Sequence, residues 1–187
     1  LGHDQAIQTF AAAIDSRGRA LCWIDGVGGT GKSALAFEFV RRTVLGKSHA
    51  PVPVLMDEDW DGSVAAEVAR QLRLFDPRSD AKRGPTEVMA RTLGVMGLVC
   101  PVVDSLSERG MADAVERIRA AVRDGDFRHM LVTSRAKPPE GATWERVQRV
   151  SPLPVMKDHL PAFIAAYAKD ADAGVVNERI ASLVNSQ

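Results

Sequence analysis

At 187 residues, 45% of them hydrophobic and 26% charged, the chain can bury the core of one compact domain with a small appendage, which excludes a disordered polymer. Its 24 lysines and arginines balance 24 aspartates and glutamates, so no global attraction to nucleic acid or to an acidic membrane is encoded, and any polyanion must be met locally. No apolar stretch is long enough to cross a bilayer and no secretory signal opens the chain, so a soluble cytoplasmic protein is expected; the opening at Leu1 rather than at a methionine leads us to expect a module of a longer chain.

Apolar runs alternate with helical periodicity. Residues 20–24 are expected to form a short buried strand, and 32–45 a helix with Leu35, Ala36, Phe39, Val40 and Val44 at helical spacing, stopping at Gly46 after Arg41 and Arg42. Residues 52–56 read as a second strand, which Pro53 assigns to a sheet edge, and Ser63 is placed to cap a helix carrying Val64, Val68 and Leu72. A weaker helix over 85–93 is expected to stop at Gly94 before a third strand at 98–103. Met111, Ala114, Val115, Ile118, Ala121 and Val122 make the cleanest amphipathic stripe, closed by Gly125. Residues 130–133 and 147–150 are the fourth and fifth strands, on either side of a proline-containing stretch. Leu160, Phe163, Ile164 and Tyr167 then begin a helix after Asp158, and Ile180, Leu183 and Val184 suggest another. Cys22 and Cys100 fall in strand runs without metal-ligand spacing, as core thiols of a reducing cytosol do. This alternation predicts an α/β fold with a mostly parallel five-stranded sheet and helices on both faces, spanning 1–156, with 157–187 as the start of a helical lid or linker. Ligands of such folds bind outside the carboxyl ends of the strands, so the residues just after each strand carry the functional reading.

After the first strand, Gly26-Val27-Gly28-Gly29-Thr30-Gly31-Lys32-Ser33 fits G-x-x-x-x-G-K-[ST] between a strand and a helix. Successive backbone N–H groups of such a loop, with those of Ala34 and the helix start, can form an anion nest at a positive dipole end. Lys32 would reach β- and γ-phosphates and the Ser33 hydroxyl would ligate Mg²⁺. The competing reading is a glycine-rich turn with a solvated lysine. After the third strand comes Asp104-Ser105-Leu106-Ser107-Glu108. A carboxylate at the end of a strand adjoining the phosphate loop can hold Mg²⁺, and a second one can orient an attacking water, which makes Asp104 and Glu108 the candidates. Alternatively, Asp104 or Ser105 caps the following helix. Pro101 breaks a local rule inside this strand by removing a ladder donor. After the fourth strand comes Thr133-Ser134-Arg135, whose guanidinium can pair with a γ-phosphate or simply be a surface arginine.

In this order, Gly-x-Gly-Gly-x-Gly-Lys-Ser followed by Ala-Leu-Ala, then Asp-Ser-Leu-x-Glu, then Thr-Ser-Arg, resembles the STAND class of signal-transduction P-loop NTPases, which includes the NACHT and NB-ARC modules. The opening LGHDQAIQTF is similar to the lead-in of that class, and the likeness spans nearly the whole chain. The resemblance implies a three-layer αβα P-loop NTPase core in which Gly2, His3 and Asp4 border the adenine, Asp104 serves Mg²⁺, Glu108 supports hydrolysis and Arg135 senses the γ-phosphate. It further implies a switch that holds ADP when closed and ATP when assembled, hydrolysing slowly, with self-association and flanking effector and sensor domains. The chain departs from the pattern at His3, where the lead-in usually has arginine, and at Ser107, where the NACHT pattern commonly has an acid.

Two rivals stand beside this reading. A small-molecule or nucleotide kinase would use the same glycine loop and seat an acceptor near the acidic stretch Asp57-Glu58-Asp59-Trp60-Asp61-Gly62, although Arg83, Arg146 and Arg149 are too sparse for an arginine-rich lid. A non-hydrolysing nucleotide-dependent scaffold is suggested by Ser107. The absence of an N-K-x-D tetrad tilts base preference toward adenine.

Overall fold

The computed structural model describes residues 4–15, 18–44, 50–74, 84–110, 112–143 and 147–152. The expectations for Gly2 and His3, for Arg83 and Arg146, and for the helices after Asp158 lie outside the described residues.

Five strands are present: β1 (Ala20–Asp25), β2 (Val52–Leu55), β3 (Val99–Val103), β4 (His129–Ser134) and β5 (Gln148–Val150). They pair in the order β2-β3-β4-β1-β5, and every pairing is parallel. Between them run α2 (Lys32–Val44), α3 (Val64–Leu74), α4 (Glu87–Val95) and α5 (Ala114–Asp124), preceded by α1 (Asp4–Asp15). The α/β fold expected from the alternation is therefore present, with β2 on the edge that Pro53 assigns it. The alternation alone predicted no order of neighbours, and β3 does not pair with the glycine-loop strand β1. β4 lies between them, in register Ala20 with His129 through Asp25 with Ser134.

The sheet divides the core. Leu21 and Trp23 of β1, Val54 of β2, Val99 and Val103 of β3, and Met130 and Val132 of β4 pack with Val64 and Val68 of α3 and Ile118 and Val122 of α5. The alternate residues Cys22, Ile24, Cys100, Val102 and Leu131 pack with Phe39 of α2 and with Ile7, Phe10 and Ile14 of α1. Successive strand side chains point to opposite faces, so strands covered on both sides become the continuous apolar runs seen in the sequence. Each fully buried aliphatic or aromatic side chain contributes about 1.5–3 kcal/mol. The Phe10 and Phe39 rings stack at 5.5 Å between centroids and join α1 to α2. α1 is a helix that the lead-in reading did not anticipate, and its buried face carries Ile7, Phe10 and Ile14.

Local signals set most boundaries. The Ser63 hydroxyl accepts from the Ala66 N–H at 3.0 Å and donates to Glu87 Oε1 at 2.6 Å, capping α3 while tying it to α4. Gly125 ends α5 in the left-handed region at φ +74°. Gly94 does not stop α4, which continues to Val95. A Cβ there would lie 2.3 Å from the Asp126 carbonyl oxygen and 2.5 Å from the Phe127 ring, so its role is close packing under the entry to β4. Pro101 is accommodated because β3 pairs with β4 only at Val102 and Val103.

Candidate functional site

The carboxyl ends of β1, β3 and β4 lie along one edge of the sheet, and the singled-out residues of the described chain come directly after them. The glycine loop leaves β1 after Asp25 and enters α2 at Lys32. Gly29 and Gly31 adopt φ +78° and +81°, in the left-handed region that side chains disfavour, yet a Cβ on either would meet no heavy atom within 4 Å. Conformation, not crowding, requires glycine here, and the backbone above both residues is open. The Lys32 side chain is buried back over the loop, where its ammonium donates to the Val27 carbonyl at 2.9 Å, as does the Thr30 hydroxyl at 2.9 Å. Ser33 is half-buried in the first turn of α2 and Ala34 is exposed beside it.

After β3, neither Asp104 nor Ser105 caps a helix through its side chain. The strand runs into a single 3-10 turn, Leu106–Glu108, entered through Ser105 at φ +54°, the one non-glycine residue with positive φ among the described residues. The Asp104 carboxylate instead accepts from the Thr133 hydroxyl of β4 at 2.5 Å, within the range of charge-assisted O–H···O⁻ bonds. Thr133 Oγ1 in turn accepts from the Ser105 N–H at 2.7 Å.

Arg135 joins the parts. Its Nε donates to Glu108 Oε1 at 2.8 Å, its backbone N–H donates to Ser107 Oγ at 2.8 Å, and its guanidinium carbon lies 3.9 Å from where a Gly28 Cβ would stand. The structure thus brings together the glycine loop, Glu108 and Arg135, with Asp104 locked to the same strand end. Ser107 does the structural job of receiving the Arg135 N–H.

At the other side of the loop, the buried Asp25 carboxylate accepts two bonds from Arg149 of β5, at 2.6 and 2.9 Å, and one from the Ser151 hydroxyl at 3.0 Å. The Arg149 hydrogen bonds hold its pKa below the usual carboxylate range against the opposing effect of burial. Arg149 is therefore a tie between β1 and β5, not a lid residue.

A scan against protein-family models found no match for this chain, and a search of curated proteins found none either.

Beyond Glu108 a cleft of about 410 Å³ opens between α2 and the ends of β2 and β3, lined by Phe37, Leu55, Met56, Glu58, Asp59, Asp104, Glu108 and Arg109 among others. Carboxylates dominate its polar lining. Arg109 is anchored in the wall by donating to the carbonyl oxygens of Asp104, Met56 and Asp57, with its guanidinium 5.3 Å over the Trp60 ring; burial lowers its pKa. The acidic stretch after β2 is itself clamped. Arg70 pairs with Asp57 and with the buried Glu67, and Arg117 donates to the Trp60 carbonyl. Only Glu58 and Asp59 of that stretch line the cleft.

The sequence motifs include Thr133 but give it no role, and they single out neither Asp25 nor the structural use of Ser107. The signal for Thr133 was register: Val103 pairs with Val132, so Asp104 and Thr133 come next at the same level on neighbouring strands. Among the described residues no three His, Cys, Asp or Glu side chains gather as a metal cluster, and no helix is long and apolar enough to cross a membrane.

Proposed function

We propose that the chain is the nucleotide-binding module of a STAND-type signalling ATPase, a P-loop NTPase related to NACHT and NB-ARC modules that holds ADP or ATP with Mg²⁺ and hydrolyses slowly. The observation that carries this reading is the position of Arg135, whose guanidinium lies against Gly28 of the glycine loop and on Glu108. One side chain thus lies beside the expected phosphate cradle and is bonded to the group expected to activate water.

The residues present fit the nucleotide and its metal. Gly29 and Gly31 leave open backbone for phosphate oxygens, and Lys32 has only a carbonyl to give up before it meets a phosphate. Ser33 and Asp104 would hold Mg²⁺, which takes one or two protein oxygens and completes its shell with phosphate and water. Bound there, the ion would neutralise charge on the transferred phosphoryl group. Glu108 accepts the proton of the attacking water, and Arg135 distinguishes triphosphate from diphosphate. Flanking effector and sensor domains and self-association are the partners this reading implies. The decisive experiment is calorimetric titration with ATP and ADP beside the Lys32→Ala chain. Binding in the micromolar range that weakens at least about tenfold in the variant supports the reading, given the strength of charge-assisted phosphate contacts. Binding that Lys32→Ala leaves unchanged overturns it.

The cleft favours a second reading, a kinase whose acceptor sits beside Glu108. A volume of about 410 Å³ suits a small-molecule site. Phosphate release from ATP alone supports the switch, whereas turnover that requires an added hydroxyl acceptor supports the kinase.

A further inference from the structure

We propose that Thr133 is a positioning residue for divalent-cation binding: its hydroxyl fixes the Asp104 carboxylate in the orientation that receives the ion. The inference rests on the nucleotide reading above and extends it to a residue which that reading leaves without a role. Its basis is a hydrogen-bond chain whose direction is forced. The Ser105 N–H can only donate, so Thr133 Oγ1 accepts there at 2.7 Å. The ionised Asp104 carboxylate can only accept, so the single Thr133 proton goes to Oδ1 at 2.5 Å. A hydroxyl polarised by an incoming N–H donates more strongly, which deepens the well holding the carboxylate.

The cost of building this chain argues for a use. Ser105 is held at φ +54°, ψ +40°, a conformation that costs a non-glycine residue stability and persists only where neighbours over-determine it. A helix cap would have satisfied the strand end more cheaply, and neither Asp104 nor Ser105 makes one. Thr133 is fully buried on the inner strand β4 while Asp104 lines the cleft, so the hydroxyl reaches out from the core to a half-exposed carboxylate. One Asp104 oxygen is committed to Thr133, which leaves the other for the ion or its water. Groups that orient metal ligands in this way typically alter metal affinity about 10- to 100-fold when removed.

The test compares ATP affinity with Mg²⁺ and with excess chelator in the wild-type, Thr133→Val and Thr133→Ser chains. The ratio of the two affinities measures how strongly the ion and the nucleotide are coupled. Thr133→Val keeps the shape and removes the proton, so the Mg²⁺ enhancement is expected to fall about tenfold or down to one, with chelator-phase affinity unchanged. Thr133→Ser restores the hydroxyl and is expected to stay within about threefold of wild type. An unchanged enhancement in folded Thr133→Val overturns the proposal, as does a Thr133→Ser chain that falls as far as the valine one. If Thr133→Val does not fold, Thr133→Cys replaces it; an intermediate enhancement upholds the proposal and a wild-type one overturns it. A wild-type chain that binds no ATP, or binds it with no Mg²⁺ enhancement, sinks the nucleotide reading itself, which separates the two failures.

Discussion

On the proposed nucleotide reading, Arg135 would hold two jobs that exclude each other. Its Nε is engaged by Glu108, so under that reading a γ-phosphate would have to compete with that carboxylate for the guanidinium. Both partners are substantially exposed, and solvent makes the pair weak, on the order of 1 kcal/mol or less. A pair that weak would yield to a phosphate. The Arg135→Ala chain is therefore expected to lose about five- to tenfold in ATP affinity with little change for ADP, and an unaltered ATP/ADP ratio in a binding titration refutes the sensing role. His129 is a second residue with a measurable signature. It is buried with Nδ1 unpartnered among the described residues, and burial pushes its pKa down to about 4 from 6.5. Folding thus keeps the ring neutral, and stability contributed by the neutral ring is complete above about pH 6.5 and lost as pH falls toward 4. Between about pH 7 and pH 5 the loss attributable to this ring is about 2 kcal/mol. Urea titrations of His129→Leu are expected to show an acid destabilisation smaller by about that amount; an identical pH slope excludes the effect.

Among the elements, α4 and the two thiol-bearing strands show what periodicity reveals and what it misses. Gly94 was legible as a special position but not as the right kind of one, because a glycine needed for approach and a glycine needed for a left-handed turn look alike in a sequence. Its packing against the backbone of Asp126 makes the substitution to alanine costly, about 2 kcal/mol or more in spite of the gain in helix propensity. A thermal melt of Gly94→Ala unchanged from wild type contradicts that packing. The positions of the glycine loop, Asp104 and Arg135 at strand ends were readable because each directly follows a strand, which short-range patterns mark well; Glu108 follows β3 through the short 3-10 turn. The role of Thr133 was not readable, since its partner lies 29 residues away and a β-branched residue at the end of a strand is ordinary. α1 is hard to see for a different reason: its apolar residues Ile7, Phe10 and Ile14 mark a narrow face, in a stretch whose likeness to a family lead-in points to the base rather than to a helical period. Cys22 and Cys100 match the bland expectation of buried core thiols, with burial pushing both up to about 12.

The molecule as a whole depends on joining its last described strand to its first. β5 is short, and the Arg149–Asp25 pair with Ser151 supplements its three-residue pairing with β1. Removing the arginine leaves Asp25 buried beside the glycine loop without its cation. Arg149→Ala is expected to destabilise the fold near neutral pH, by less than the loss of a partner from a fully buried pair because the arginine is 42% exposed. Asp25 has a lowered pKa in the fold, so its contribution is present above the ordinary carboxylate range and disappears as pH falls through the folded value. The stability gap between the two chains should accordingly narrow as pH falls below the ordinary carboxylate range; a gap that does not narrow in acid contradicts the assignment.

The five strands are legible from apolar runs but their neighbours are not, and the placement of β4 between β1 and β3 has a consequence for how the chain is made. Among the described strands β1 is synthesised first, yet both of its neighbours, β4 and β5, come last. While the ribosome is still adding α3 to α5, the apolar Leu21–Ile24 segment has no strand to pair with, and long-range pairing of this kind slows folding. The glycine loop is made early, but two of its native neighbours are made late: Gly26 donates its N–H to the Ser134 carbonyl, and Arg135 lies beside Gly28. If the loop binds a nucleotide as proposed, that binding would require β4 to be in place, so in a nascent chain it would report that the strands flanking the loop have paired.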